Sequence, residues 1–424
     1  AGDRDEVLAR VRRWPADRTG WRAAVVASEM GNLGAAMTAP PHQPDDVDEL
    51  QRIAAAMIDR GVRRVHTLAW RDLDDPDAGG SEVHADEFLR RWAVAGLDVT
   101  HRTSLAIGLP REAQRHGYRV VRRGSRYSVF PRAVAAEVTG RAGRYDALVE
   151  IWNGVPWFSP LWCHKPRITF LHHVHGPMWG QILPAPLAGF GRVLEARLAP
   201  PFYRRTQVVT PSDATRDELL EIGFRPARVL AVPNGVSEAF APGGERSPAP
   251  LVVGVGRMAP VKRFDELIRA AAVARVTVAD LRLVVVGSGP MFGELVSLVA
   301  ELGAEEWVTF AGQLTHHELV ALYQSAWVVA SASLAEGWGL TLTEAAACGT
   351  PAVATDIRGH RSSVVDGTTG VLAPLPELGS ALARMLSDDA LRSRLGDAAL
   401  ARARTLTWDA SALGILRALA AQVR

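Results

Sequence analysis

Two glutamates eight residues apart, Glu336 and Glu344, flank a glycine-containing loop in the run S-A-S-L-A-E-G-W-G-L-T-L-T-E-A-A-A-C-G-T-P. Gly337 and Gly339 let backbone amides approach a ligand closely, and a helix expected over Leu340 to Cys348 offers the unpaired N–H groups of its first turn to an anion. A diphosphate suits such a cradle. Carboxylates beside that anion would be repelled by its phosphates, so neutral hydroxyls, as on sugar rings, are their better partners; capping of the helix by acidic residues is the alternative. Upstream, L-V-V-G-V-G-R-M-A-P-V-K reads as strand, glycine turn and helix, with Arg257 and Lys262 in one loop, where two cations can hold an anion. An ordinary solvated loop is the other reading, but Lys262 is one of only two lysines beside 46 arginines. A compact ammonium is not interchangeable with a guanidinium.

In the first half, Gly79 and Gly80 precede an amphipathic helix whose apolar positions include Val83, Phe88, Leu89 and Trp92. Ser81 is a fitting N-cap, and a plain helix cap is the alternative to a ligand loop. The nearby Asp72, Asp74, Asp75 and Asp77 imitate a metal motif but lack a preceding nucleotide-site strand. His172, His173 and His175 follow the strand R-I-T-F-L, at the carboxyl end where open α/β sheets bind ligands. No carboxylate or cysteine stands at ligand spacing, and adjacent residues of an extended segment point to opposite faces, so zinc is disfavoured.

The elements that must position these residues alternate short β-branched runs with helical periodicity, the pattern of parallel sheets covered on both faces. Strands are expected at 64–69, 98–102, 147–151, 167–171, 207–210, 229–232, 251–255, 281–286, 307–311, 327–330 and 352–355. The Pro- and Gly-rich Ala239 to Pro250 reads as a linker. Four parts follow: an N-terminal extension (1–60) with a basic amphipathic start, an acceptor-side domain (61–240), a second α/β domain (241–407) and a C-terminal helix (408–424). The strand ending in Gly287-Ser288-Gly289-Pro290 lacks the third glycine of a dinucleotide fingerprint, which disfavours a Rossmann oxidoreductase.

A chain of 424 residues, 48% apolar and 22% charged, can fill two cores. With 48 basic against 46 acidic residues it is not a wholesale nucleic-acid binder. Two cysteines, Cys163 and Cys348, are too few for a disulfide framework, which points to a reducing, cytoplasmic setting. Arg111 to Arg144 holds nine arginines against Glu112 and Glu137. That stretch offers a peripheral contact with an anionic membrane or a phosphorylated acceptor; a solvated face in an arginine-rich chain is the alternative.

The run E-G-W-G-L-T-L-T-E-A-A-A-C-G-T-P resembles the E-x7-E motif of retaining GT-B glycosyltransferases of family 4, the group 1 type. The resemblance continues through G-R-M-A-P-V-K, V-P-N-G-V, V-V-G-S-G-P and D-G-T-T-G-V-L, in the family's order and spacing, over roughly residues 62 to 410. It implies a GT-B fold, two Rossmann-like parallel-sheet domains facing a central cleft, with the last helix crossing back to the first domain. By resemblance, Arg257 and Lys262 neutralise the diphosphate of a nucleotide sugar, Glu344 holds the ribose hydroxyls, and Glu336 contacts the sugar near its reacting face. Backbone amides from Gly339 through Leu340 to Thr341 complete the phosphate cradle. Gly79 and Gly80 match the loop that meets donor phosphate or acceptor, and His172, or else His173, takes the place of the family's histidine near the reacting carbon.

The implied reaction is transfer of a sugar, with UDP the commonest donor nucleotide, to an acceptor hydroxyl with retention of configuration. The leaving phosphate takes the acceptor's proton on the same face, without metal or resident cofactor. The alternatives are a non-catalytic nucleotide-sugar-binding protein and a phosphorylase on the same fold. The acceptor, whether small molecule, glycan or lipid-linked, stays open.

Overall fold

A computed structural model describes residues 44–182 and 184–423, arranged as two α/β units: residues 44–235 with 406–423, and residues 236–405. The basic start, the W-R-A-A-V-V-A-S piece and most of the Pro-rich loop assigned to the extension lie outside the described residues.

The first unit is built on eight strands: β1 (Arg64–Leu68), β2 (Asp98–Thr103), β3 (Glu112–Arg115), β4 (Tyr118–Arg122), β5 (Ala147–Trp152), β6 (Arg167–Leu171), β7 (Gln207–Thr210) and β8 (Val229–Ala231). Their order is β3-β4-β2-β1-β5-β6-β7-β8, parallel throughout except for the β3–β4 hairpin. Chain order reverses between β1 and β5, so the loops leaving those two strands flank a crevice of the ligand-binding kind. The Gly80–Val94 helix buries Phe88, Leu89 and Trp92 in the core formed with Val65, Val99 and Val149. It is the apolar stripe read from the sequence.

Two further helices complete that core. Pro44–Asp59 contributes Leu50, Ala54 and Met57, and Trp408–Ala420 contributes Leu413, Leu416 and Leu419. The Trp92 indole donates to the Ala412 carbonyl at 3.1 Å, and Arg91 pairs with Asp409 at 2.5 Å. The C-terminal helix thus belongs to the first unit. Residues 44–60 do too, so the described unit begins inside the stretch read as an extension. The apolar face at i, i+4, i+7 of Pro44–Asp59 packs against a helix from the far end of the chain.

The second unit is a six-stranded, wholly parallel sheet of β9 (Leu251–Val255), β10 (Arg282–Val286), β11 (Val308–Gly312), β12 (Val328–Ser331), β13 (Ala352–Thr355) and β14 (Gly370–Ala373), in the order β11-β10-β9-β12-β13-β14. Order reverses between β9 and β12. The segment read as a linker is laced to this unit instead of spanning freely. Arg246 donates to Gly349 O and Thr350 Oγ1, both at 2.6 Å, and to the Ala326 carbonyl. Gln324 donates to Ala241 O at 2.8 Å and the Trp327 indole to Ser247 O at 2.7 Å. Pro and Gly here disrupt regular structure without loosening the chain.

Candidate active site

At the carboxyl end of β9 the chain turns through Gly256 into the loop carrying exposed Arg257 and half-buried Lys262. At the carboxyl end of β12, the neighbour across the switch point, it enters the loop carrying Glu336. The two loops meet: Lys262 Nζ lies 2.5 Å from Glu336 Oε1, and Ser333 Oγ donates to the same oxygen at 2.7 Å. Burial alone would raise the Glu336 pKa, but the Lys262 charge, His360 and these hydrogen bonds more than offset it and hold the carboxyl below its ordinary value. His360 has its Nδ1 2.7 Å from Thr355 O and its Nε2 3.2 Å from Ser331 Oγ, and burial lowers its pKa against the pull of Glu336.

The Leu340–Ala347 helix starts beside this pair. Its N-cap Gly339 is left-handed (φ 98°) and supplies no side-chain cap, so the amides of the first turn, including Leu340 and Thr341, are not claimed by a capping group. Gly337 lies in the same turn. Glu344, on the next turn, has a different electrostatic setting. Burial pushes its pKa up to about 7, with the Tyr323 hydroxyl 3.3 Å away as its only pull in the other direction. The pair of glutamates is therefore split into one held ionised by a cation and one that titrates near neutrality.

The glycines after β10 serve packing. Gly287 (φ 124°) and Gly289 stack on the Gly256–Met258 loop, where a Cβ on either would collide with a backbone carbonyl. Met258 N donates to Ser288 O at 2.8 Å. What resembled half a dinucleotide fingerprint is the buttress that fixes the Arg257 loop.

In the first unit, Gly79 and Gly80 stand after β1, Asn153 after β5 and the histidines after β6. Gly79, not Ser81, is the N-cap; its amide donates to Glu82 Oε2 at 2.7 Å. Ser81 Oγ donates to Glu82 and receives Asn153 Nδ2 at 3.3 Å, tying the glycine loop to the β5 end. Glu150, wholly buried on β5, accepts from the Trp157 and Ser159 amides at 3.0 and 3.2 Å and from the Tyr203 hydroxyl, which pins the loop after Asn153. Neither Asn153 nor Glu150 stood out in the sequence, because a lone polar residue in or after an apolar strand carries no periodic signal.

The three histidines separate. His172 is buried with both ring nitrogens unpartnered, edge-on to His84 at 5.2 Å and 4.7 Å from the Phe170 ring. Burial, then the neighbouring His84 and His173, hold its pKa well below the ordinary value. His173 is half-buried and stacks on His175 at 4.4 Å. His175 lies beside a carboxylate: Glu195 accepts from its amide at 2.8 Å, from Gly176 N at 2.9 Å and from the Trp179 indole at 3.1 Å, with His175 Nδ1 3.7 Å away. His172 packs between His84 of the glycine-loop helix and Phe170 of β6. Of the residues after it, His173 is half-buried and His175 buried.

Two members of the acidic cluster, Asp72 and Asp74, are engaged by buried or half-buried arginines. Arg122, fully buried, holds Asp72 at 2.6 and 2.8 Å and Asp74 at 2.7 Å, and Arg115 bonds both carboxylates. Burial pushes the Asp72 carboxyl up, but Arg122 more than offsets this and brings it to about 2. Arg119 and Arg123 pair with Glu112, and Arg126 lies over the Trp70 ring at 4.6 Å. Five of the nine arginines between 111 and 144 therefore have partners within this unit, although Arg119 and Arg126 remain solvent-exposed and Arg123 partly so. Among the described residues no group of three or more His, Cys, Asp or Glu is arranged to hold a metal ion, and no helix is long and apolar enough to cross a membrane.

Two Rossmann-like parallel sheets with a glutamate-glycine-helix turn and a paired lysine at the second switch point define a GT-B glycosyltransferase. The chain belongs to the group 1, family 4 glycosyltransferases. Residues 236–402 match the family described as "Glycosyl transferases group 1" and residues 78–240 match "Glycosyltransferase Family 4". It is similar to D-inositol 3-phosphate glycosyltransferases of Kribbella flavida (30% identity; 85% of this chain and 96% of that one) and Frankia alni (34%; 83% and 97%). Among solved structures the fold is shared with sucrose-phosphate synthase of Thermosynechococcus elongatus (TM-score 0.71, 22% identity, 83% of this chain and 97% of that one). It is also shared with Anabaena HepE in complex with UDP and glucose (TM-score 0.65, 18% identity, 85% and 100%).

Proposed function

We propose that this chain transfers a sugar from a UDP-sugar to an acceptor hydroxyl with retention of anomeric configuration and without a metal ion. The observation that carries the reading is the meeting, at the β9–β12 switch point, of Lys262 and Glu336 beside exposed Arg257 and the uncapped helix start at Gly339. Departure of a nucleoside diphosphate requires charge neutralisation, which two cations and aligned backbone amides supply without an ion. Glu344 accepts from the ribose hydroxyls. Glu336 orients a sugar hydroxyl and surrenders Lys262 to the phosphate. The nucleotide in the HepE complex and the names of the relatives support this donor and class.

Retention is the expected outcome of a same-face displacement in which the departing phosphate takes the acceptor's proton. The carboxylates already engaged in donor binding leave none free as a covalent nucleophile. The test is incubation of the full chain with UDP-glucose or UDP-N-acetylglucosamine and, as first acceptor, D-inositol 3-phosphate, in EDTA, with the product's anomeric proton read by NMR. An α-linked product from the α-linked donor supports the reading. An inverted product, or strict dependence on an added divalent ion, contradicts it; nucleotide binding without turnover on any acceptor favours a binding protein, and release of sugar phosphate on adding phosphate favours a phosphorylase.

A further inference from the structure

The chain from Ala185 to Tyr203 runs helically through Ala185–Val193, a π-helical turn Leu194–Leu198 and Pro200–Tyr203. One side is firmly seated. Ala188, Gly191, Glu195, Ala199 and Tyr203 are buried, and Gly191 lies so close to the Trp179 ring that a Cβ there would overlap it. The other side carries apolar residues out into solvent: Leu187 is 55% exposed, Phe190 59%, Val193 43%, Leu198 46% and Phe202 46%. Leu187, Phe190, Leu194, Leu198 and Phe202 follow one another at spacings of three or four, a stripe along the run. Apolar patches of this length are uncommon on a soluble surface and mark an interaction site.

The charges decide the partner. Arg192, Arg197, Arg204 and Arg205 are exposed, and among the described residues none has a carboxylate partner. The run's one acidic residue, Glu195, is turned inward to the His175–Gly176 loop. Exposed Leu161 (57%) and Lys165 belong to the Ser159–Trp162 helix and its exit, which packs beside Pro200–Tyr203, where the Phe158 and Phe202 rings meet edge-to-face at 5.7 Å. An apolar stripe flanked by arginines and free of exposed carboxylates is complementary to a surface that is oily beneath and anionic on top.

We propose that the helical run 185–205 seats this protein on an anionic lipid bilayer, its phenylalanines and leucines entering the headgroup boundary and its four arginines meeting lipid phosphates. Through Glu195 the same run is tied to the loop of His173 and His175, so docking holds that end of β6 close to the bilayer. The inference is independent of the donor-site reading. It moves the membrane contact away from Arg111 to Arg144.

Co-sedimentation of the full chain with vesicles tests it, comparing pure phosphatidylcholine with an equal mixture of phosphatidylcholine and phosphatidylglycerol at low and high salt. Binding is expected on the mixed vesicles only, weakening as salt rises. Each Arg→Gln change among Arg192, Arg197, Arg204 and Arg205 should weaken it about fivefold, and Phe190→Ser/Phe202→Ser at least about tenfold. Arg111→Gln/Arg132→Gln should bind as wild type. Unchanged melting temperature and UDP response verify the fold of each variant, with Leu187→Ser as a milder substitute. The proposal is overturned by absence of binding to the mixed vesicles or by binding that the 190/202 and arginine variants leave intact. It is also overturned by sedimentation velocity showing a dimer that Phe190→Ser/Phe202→Ser dissociates, which would assign the stripe to a second copy.

Discussion

Lys262 and Glu336 stand 74 residues apart in sequence and 2.5 Å apart in the fold, at the ends of the two strands where sheet order reverses. Each is the other's counter-ion. In the function proposed above, a diphosphate entering beside them would compete with Glu336 for Lys262.

Replacing Glu336 by Gln should therefore separate binding from turnover. Lys262 is freed, so UDP affinity is expected to hold or rise, whereas loss of a charge-assisted hydrogen bond to the sugar should lower kcat by about 10- to 100-fold. Lys262→Ala leaves a buried carboxylate unpaired and should lose both UDP affinity and melting temperature. Calorimetric UDP titration beside steady-state kinetics checks the pair; equal loss of affinity in both variants contradicts the exchange.

Glu344 gives the site a pH signature. With its pKa raised to about 7 by burial, it is largely protonated at pH 6 and largely ionised at pH 8, and in the proposed donor site the ionised form is the stronger acceptor for ribose hydroxyls. UDP should bind about tenfold more weakly at pH 6 than at pH 8. Glu344→Gln should bind weakly at both, leaving only the nucleotide's own titration. Calorimetry at the two pH values reads the difference.

Gly287→Ala tests the buttress. The new Cβ meets the Gly256 carbonyl, and φ of 124° is a conformation that L residues rarely adopt. The expected cost is at least about 2 kcal/mol of stability, with displacement of the Arg257 loop and loss of UDP affinity although no ligand-facing side chain is altered. A folded variant with wild-type UDP affinity would remove the glycine from the account.

His84 and His172 make the first unit acid-sensitive. Burial brings His84 to about 3 and His172 well below its ordinary value, so both remain neutral in the folded state where the unfolded chain takes up protons near pH 6.5. A depressed folded pKa means that stability is fully present above about pH 7 and is lost as pH falls through the unfolded value, at about 1.4 kcal/mol per histidine by pH 5.5. Melting temperature against pH should fall less steeply in His84→Phe, whose ring would remain among Phe88, Phe170 and Trp408.

Where local chemistry was unambiguous, the sequence was readable. The short runs at 167–171, 207–210, 251–255 and 352–355, rich in apolar and β-branched residues, are strands with those bounds, as expected of buried parallel strands. Lys262 and Glu336, from motifs 74 residues apart, meet in the second unit, which also carries Arg257 and Glu344. The β3–β4 hairpin was hidden by its composition: Glu112, Arg115, Arg119 and Arg122 occupy strand positions, and the turn at His116 and Gly117, with φ of 44° and 89°, is not one of the usual dipeptides. Arg122 could not be read as buried, since its burial depends on Asp72, 50 residues earlier. The packing of 44–59 on 408–420, the stitching of 236–250 by Arg246, and the seclusion of His172 all rest on contacts between residues distant in the chain, where local pattern has nothing to say.

The account's central claim, a nucleotide-sugar site in the second unit, is tested most directly by thermal shift of the full chain with UDP, GDP, ADP and TDP, on wild type and on Glu344→Ala and Lys262→Ala. A ligand that binds only the native state raises the melting temperature by mass action. UDP should stabilise the wild type and do so far less in both variants. Stabilisation by none of the four, or by UDP equally in all three proteins, would contradict the site.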